Sequence, residues 1–297
     1  MIRLYREFET QEQIDVEYRV ASPEDVLLAR RRVEILSAEA RNKLPHRLNV
    51  AYGPTKAEYL DIFPCADPGA PVFVFLHGGY WRAMSSGDYS YVAVGPVSKG
   101  ILTVSVNYAL APHVRVGEIV RQTRAAVAWV MRNIQDYGGD PGKIIIGGHS
   151  AGAQLAAMCA LARWSDDYGL DSASIKGALL VSGVFDLSPL RYSFLQPQLQ
   201  LDDWAIIQHS PINWVDELRT PLLLAVGASE SQEFRRQTRA FYEASLRTAI
   251  GSEMKIIPGA DHFTALDPLL DPNSFMCSWL RRRVTVPMDG SPQCGLL

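Results

Sequence analysis

The sequence predicts an α/β protein built on a mostly parallel, doubly wound sheet with helices on both faces. Short, almost wholly apolar runs recur at 72–76, 102–106, 143–146, 178–182, 222–226 and 255–258. Strands this uniformly apolar are buried on both faces, as in a parallel sheet covered by helices. Between the second and third runs, Val116, Ile119, Val120, Val127, Val130, Met131 and Ile134 are spaced to form one stripe of an amphipathic helix. This strand–helix alternation persists for roughly 200 residues without an internal repeat, which argues for one domain over residues 1–285.

The elements follow in order. Residues 1–50 are charged and helix-prone and read as an N-terminal helical extension. Ser22-Pro23-Glu24-Asp25 supplies a helix start, and the helix should end before Pro45. Residues 57–63 alternate and suit a half-exposed early strand. Asp140-Pro141-Gly142 should turn the chain into the next buried strand. Residues 187–220 break the alternation with Pro189, Pro197 and Pro211 and read as a small, cap-like insertion over the sheet. Residues 286–297 have few apolar anchors and are expected to form a flexible tail.

Composition narrows the function classes. Hydrophobic residues make up 47% and charged residues 21%, and the net charge is −3. No basic surplus exists to neutralise a phosphate backbone, so nucleic acid is not an expected partner. No stretch approaches the roughly 18 apolar residues of a membrane span, and the first residues lack the apolar core of a secretory signal. Cys65, Cys159, Cys277 and Cys294 lie far apart, which favours free thiols over disulfides or a metal site. A cytoplasmic enzyme or binding protein is the expected class. No His or Cys spacing offers a metal site, and a homodimer is the assembly to test for.

The most informative stretch is Ile144-Ile145-Ile146-Gly147-Gly148-His149-Ser150-Ala151-Gly152. It carries G-x-S-x-G directly after a buried strand, and an alanine-rich helix follows. This context is that of the nucleophile elbow of the α/β-hydrolase fold, where a sharp turn exposes a serine between two residues without bulk. The bland alternative, a glycine turn whose serine merely caps the helix, explains the motif less well. A phosphate loop lacks its lysine here. Ser150 is therefore the expected nucleophile. The Ala151 N–H, at a helix start, is an expected oxyanion donor.

His77-Gly78-Gly79-Tyr80-Trp81 follows the 72–76 strand, where this fold carries its oxyanion loop. Gly79 and Tyr80 N–H groups are the further expected donors. His77 reads as a packed residue that fixes the loop. In this fold the acid and the histidine follow the serine in the chain, which leaves His209 and His262 as candidate bases. His262 follows the last apolar run, whereas His209 sits in the irregular segment, so His262 is the expected base. The acid is Glu230, after the 222–226 run, or Asp186, after the preceding one. Glu230 has the better position, because Asp186 before Ser188-Pro189 has a turn role available.

HGGYW (77–81), GHSAGAQL (148–155), SGVFDLSPL (182–190), SESQEFRRQ (229–237) and DHF (261–263) together resemble the arylformamidase, or kynurenine formamidase, branch of the α/β-hydrolases. The resemblance runs over residues 57–280. It implies hydrolysis of N-formylkynurenine to kynurenine and formate without metal or cofactor. It also implies Ser150 as nucleophile, His262 as base and Glu230 at the acid position, where the family commonly has Asp. A formyl group on the acyl side and an aromatic amine leaving would suit an aromatic pocket, with Tyr80, Trp81, Trp204 and Phe263 as its expected walls. A carboxylesterase on small or aryl esters is the alternative with the same machinery. A non-catalytic binding protein on this fold is the rival from another class.

Overall fold

Eight strands form one hydrogen-bonded sheet in the computed structural model, which describes residues 3–285. They are β1 (Arg47–Ala51), β2 (Tyr59–Phe63), β3 (Ala70–Leu76), β4 (Leu102–Val106), β5 (Gly139–His149), β6 (Ile175–Val181), β7 (Leu222–Gly227) and β8 (Glu253–Ile257). Their order across the sheet is β1-β2-β4-β3-β5-β6-β7-β8. The β1–β2 and β2–β4 pairs are antiparallel, and all others are parallel. The six longer helices are α1 (Gln11–Tyr18), α2 (Pro23–Lys43), α3 (Val116–Asn133), α4 (Ala151–Ala160), α5 (Gln232–Ser245) and α6 (Phe275–Thr285).

The sheet separates two apolar layers, and alternation along each central strand divides its residues between them. Val72, Val74, Ile144, Ile146, Leu222 and Leu224 enter one layer; Phe73, Phe75, Ile145, Leu179 and Leu223 enter the other. This is the double burial expected of the apolar runs, except for the last: β8 closes the sheet as an edge strand, with one side unpaired, and leaves Lys255 and Ile256 exposed. The α3 stripe of Val116, Ile119, Val120, Val127, Val130 and Met131 is buried as its spacing predicts. Among the described residues, no helix is long and apolar enough to cross a membrane.

Three local expectations need correction. The 57–63 run is not half-exposed, since β2 is buried at Leu60, Asp61, Ile62 and Phe63. It lies inside the sheet because Arg47–Ala51 adds an unexpected edge strand beside it. The extension before it is therefore not helical throughout. Asp140-Pro141-Gly142 does not precede β5 but forms an irregularity within it, where Asp140 Oδ1 accepts from the Gly142 N–H at 2.9 Å. The regular ladder to β3 resumes at Ile144. Helix α2 starts as expected: the Ser22 hydroxyl accepts from the Asp25 N–H and Pro23 is the first helical residue.

The segment between β6 and β7 is a series of short helical turns at Ser188–Tyr192, Gln196–Leu199, Asp203–His209 and Pro211–Glu217. The tail expected over 286–297 lies outside the described residues.

Candidate active site

Parallel strands end on the same side of a sheet, so their following loops converge. The loops after β3, β5, β7 and β8 bring together residues 77–81, Ser150, Glu230 and His262. Ser150 stands between β5 and α4 with φ 56° and ψ −120°, a strained conformation for a residue with a Cβ. Two glycines make the turn feasible. A Cβ on Gly148 would lie 2.2 Å from the Gly152 carbonyl oxygen, and one on Gly152 would lie 2.0 Å from that of Leu76. The Ser150 N–H donates to the Val181 carbonyl at 2.9 Å and ties the turn to the end of β6.

Ser150 Oγ lies 3.1 Å from His262 Nε2, and His262 Nδ1 lies 2.7 Å from Glu230 Oε2. All three side chains are buried. Glu230 Oε1 accepts from the Ser182 hydroxyl at 2.6 Å and the Gly227 N–H at 2.7 Å. Burial works to raise the Glu230 carboxyl. The His262 charge and hydrogen bond, with those from Ser182 and Gly227, outweigh it and hold the group below the usual carboxylate range. An ionised Glu230 can only accept, so Nδ1 carries the imidazole proton and Nε2 is left to accept from Ser150. The arrangement can therefore move a proton from the serine to the histidine.

The two acid candidates are separated by their partners. Asp186 Oδ2 accepts from the Tyr5 hydroxyl at 2.8 Å and Oδ1 from the Ser188 N–H at 2.9 Å, so it serves a turn. Asp261 Oδ1 is occupied by the N–H groups of Phe263 and Thr264 and by the Thr264 hydroxyl. His209 is remote from this cluster: its carbonyl accepts from Gln154 Nε2 and its ring packs against Gly117 and Trp204.

The loop after β3 is held in an unusual conformation. Gly79, Tyr80 and Trp81 all have positive φ, at 110°, 51° and 58°. A Cβ on Gly79 would lie 2.3 Å from the Ala83 carbonyl oxygen, which requires glycine there. Among the described residues, the N–H groups of Gly79, Tyr80 and Ala151 have no acceptor. His77 braces the loop, with Nδ1 2.8 Å from the Gly78 carbonyl and its ring stacked on Tyr108 at 4.1 Å. Burial pushes its pKa down to about 4.

A cleft of about 620 Å³ opens over Ser150 and His262. Tyr80 and Phe263 line it, as expected. Trp81 and Trp204 do not. Trp81 is fully buried beneath the loop and donates from Nε1 to Gln154 Oε1 at 3.0 Å; Trp204 is 64% exposed, on an outer helical turn. A smaller hollow of about 410 Å³, around Ala160–Asp166 and Glu217–Thr220, contains none of the groups described above.

Much of the cleft wall comes from the N-terminal segment, which the sequence left without a role. The end of α1, the α1–α2 connection and the first turns of α2 line it from Tyr18 to Val33. The Tyr80 hydroxyl donates to the Tyr18 carbonyl at 2.6 Å and joins this wall to the oxyanion-type loop. Ser182 and His149 were also missed. Ser182 could have been suspected from its place directly after β6. His149 lines the cleft with its ring 4.6 Å from that of His262, and burial together with the His262 charge pushes its pKa down to about 3.

Comparisons with known proteins place the chain in a family of this fold. A family model described as alpha/beta hydrolase fold matches residues 73–251. The kynurenine formamidase of Salmo salar is 34% identical over 241 residues, which span 78% of this chain and 80% of that protein. The kynurenine formamidase of Danio rerio is 30% identical over 252 residues, 82% of this chain and 84% of that protein. Esterase LipQ of Mycobacterium tuberculosis is 32% identical over 73% of this chain and 58% of its own length. A solved structure from Silicibacter sp. tm1040 is 29% identical, with a TM-score of 0.82 over 91% of this chain and 99% of that one.

Proposed function

Because the chain belongs to the α/β-hydrolase family, we propose that it is a serine hydrolase, and specifically an arylformamidase that converts N-formylkynurenine to kynurenine and formate. The observation that carries the reading is the hydrogen-bonded series Ser150–His262–Glu230 beneath an open cleft. Ser150 Oγ attacks the formyl carbon while His262 Nε2 takes its proton, and Glu230 supports the imidazolium that forms. The free N–H groups of Gly79, Tyr80 and Ala151 stabilise the oxyanion. His262 returns the proton to the leaving aromatic amine. Water, activated by the same base, then releases formate from the formyl-serine.

The formamide is favoured over an ester by the HGGYW and GHSAGAQL motifs and by the likeness to two kynurenine formamidases across most of their length. A carboxylesterase is the second reading, supported by the likeness to esterase LipQ. The test is a direct comparison of kcat/KM for N-formylkynurenine and p-nitrophenyl acetate. The formamide should be the better substrate. A hundredfold preference for the ester would replace the first reading with the second.

A further inference from the structure

The charge lining the cleft is opposite to that of the chain. The whole protein is acidic, at −3, yet the cleft is lined by Arg19, Arg30 and Arg82 and by no Asp or Glu among the described residues. These three cations are not equally compensated. Arg19 lies 3.4 Å from Glu12 and 3.5 Å from Asp15. Arg82 hydrogen-bonds only the neutral amide of Gln198 and stands over the Phe194 ring, 5.5 Å from its centroid. Arg30 has no ion-pair or hydrogen-bond partner among the described residues. Both uncompensated guanidinium groups line this one cleft, and burial, with the Arg30 charge adding to it, holds the Arg82 group below its usual range. The adjoining cleft surface is apolar or aromatic, with Val26, Leu27, Met84, Phe194 and Phe263.

We infer that Arg30 and Arg82 form a recognition site for a carboxylate carried by the substrate, so that this cleft selects aryl compounds bearing a carboxylate over matched compounds without one. The inference rests on the proposed reading only for the location of the scissile bond, at Ser150. Planar guanidinium groups suit a carboxylate because each presents paired donors matching its two oxygens. The chemistry that fits is an aromatic amide or ester with a carboxylate on its side chain. Arg30 is solvent-exposed and Arg82 partly so, which places this site at the cleft mouth, where salt should weaken it.

The experiment uses two matched pairs and reads the ratio of kcat/KM within each. One pair is N-formylkynurenine and its carboxamide; the other is p-acetoxyphenylpropanoate and p-acetoxyphenylpropanamide. The parent should favour the carboxylate in each cleaved pair by about tenfold or more at low ionic strength, the lower end expected for charge-assisted hydrogen bonds near solvent. The ratio should shrink with added salt. It should fall towards one in the Arg30→Gln, Arg82→Gln double variant, while Arg82→Lys should retain part of it. A general loss of structure would lower both members of a pair together and leave the ratio in place. Arg30→Gln alone, on the exposed face of α2, should also reduce the ratio, and it guards against misfolding caused by changes near the Arg82 loop. A parent ratio near one, or a ratio unchanged in the variants, would overturn the inference. Carboxylate preference in the ester pair with no formamide turnover would sustain the inference and refute the arylformamidase reading. Formamide turnover without carboxylate preference would do the reverse.

Discussion

Gly152 illustrates how tightly single residues are constrained around Ser150, since its absent Cβ would collide with the Leu76 carbonyl. Gly152→Ala should cost about 1–3 kcal/mol, the usual range for overpacking, and a denaturant midpoint at unchanged slope would measure it. The acid candidates give a sharper test. Glu230 touches His262, whereas Asp186 holds Tyr5 and Ser188. Glu230→Gln should leave the fold intact and lower kcat by about 10⁴, because the imidazole loses its tautomer control and the support for its cation. Asp186→Asn should keep most of kcat and lose about 0.5–2 kcal/mol of stability, as for a turn or cap residue. Side-by-side kcat and unfolding measurements check both, and the reverse pattern would transfer the role to Asp186.

At the scale of elements, the N-terminal helices depend on contacts far away in sequence. The Tyr18 hydroxyl, at the end of α1, donates to Glu233 at 3.0 Å and accepts from Gln237 Nε2 at 2.7 Å, both on α5. Tyr18→Phe would leave these two buried groups short of a partner and should cost about 1–3 kcal/mol. It should also raise KM, because α1 anchors the cleft wall; unchanged stability and KM would contradict this account of α1. The same contacts explain which parts were legible in the sequence. The central strands and α3 were readable because their burial is written into local periodicity. Ser150 and His262 were readable because a strand–turn–helix motif and chain order are local signals. Helix α1 buries only Ile14, Asp15 and Tyr18, and β1 is an exposed edge strand, so neither has a strong apolar pattern. Trp81 was a wall candidate by its place beside the oxyanion loop, and Trp204 as an aromatic residue of the 187–220 insertion. Their actual positions depend on Gln154 and on an outer helical turn, which no local pattern records.

Across the whole molecule, buried neutral histidines link folding to pH. Burial depresses His77 from 6.5 to about 4 and His149 from 6.5 to about 3. Between pH 6.5 and those values the unfolded chain binds protons that the folded chain refuses, so this contribution is complete above pH 6.5 and is lost as pH falls. The loss should approach ~3 kcal/mol for each histidine by pH 4, from about 1.4 kcal/mol per pH unit. Denaturant titrations at pH 7 and pH 4.5 should show most of it before carboxylate protonation dominates, and equal stability at those two values would contradict the burial argument. The sheet, its converging loops and the cleft are all organised here around one serine. The most direct test of that claim compares the parent with Ser150→Ala, measuring kcat together with fluorophosphonate adducts by peptide mass spectrometry. The parent should carry a single adduct on the peptide containing Ser150. The folded Ser150→Ala protein should carry none there, with kcat lower by about four orders of magnitude or more. Normal turnover by a folded Ser150→Ala protein would contradict the serine mechanism.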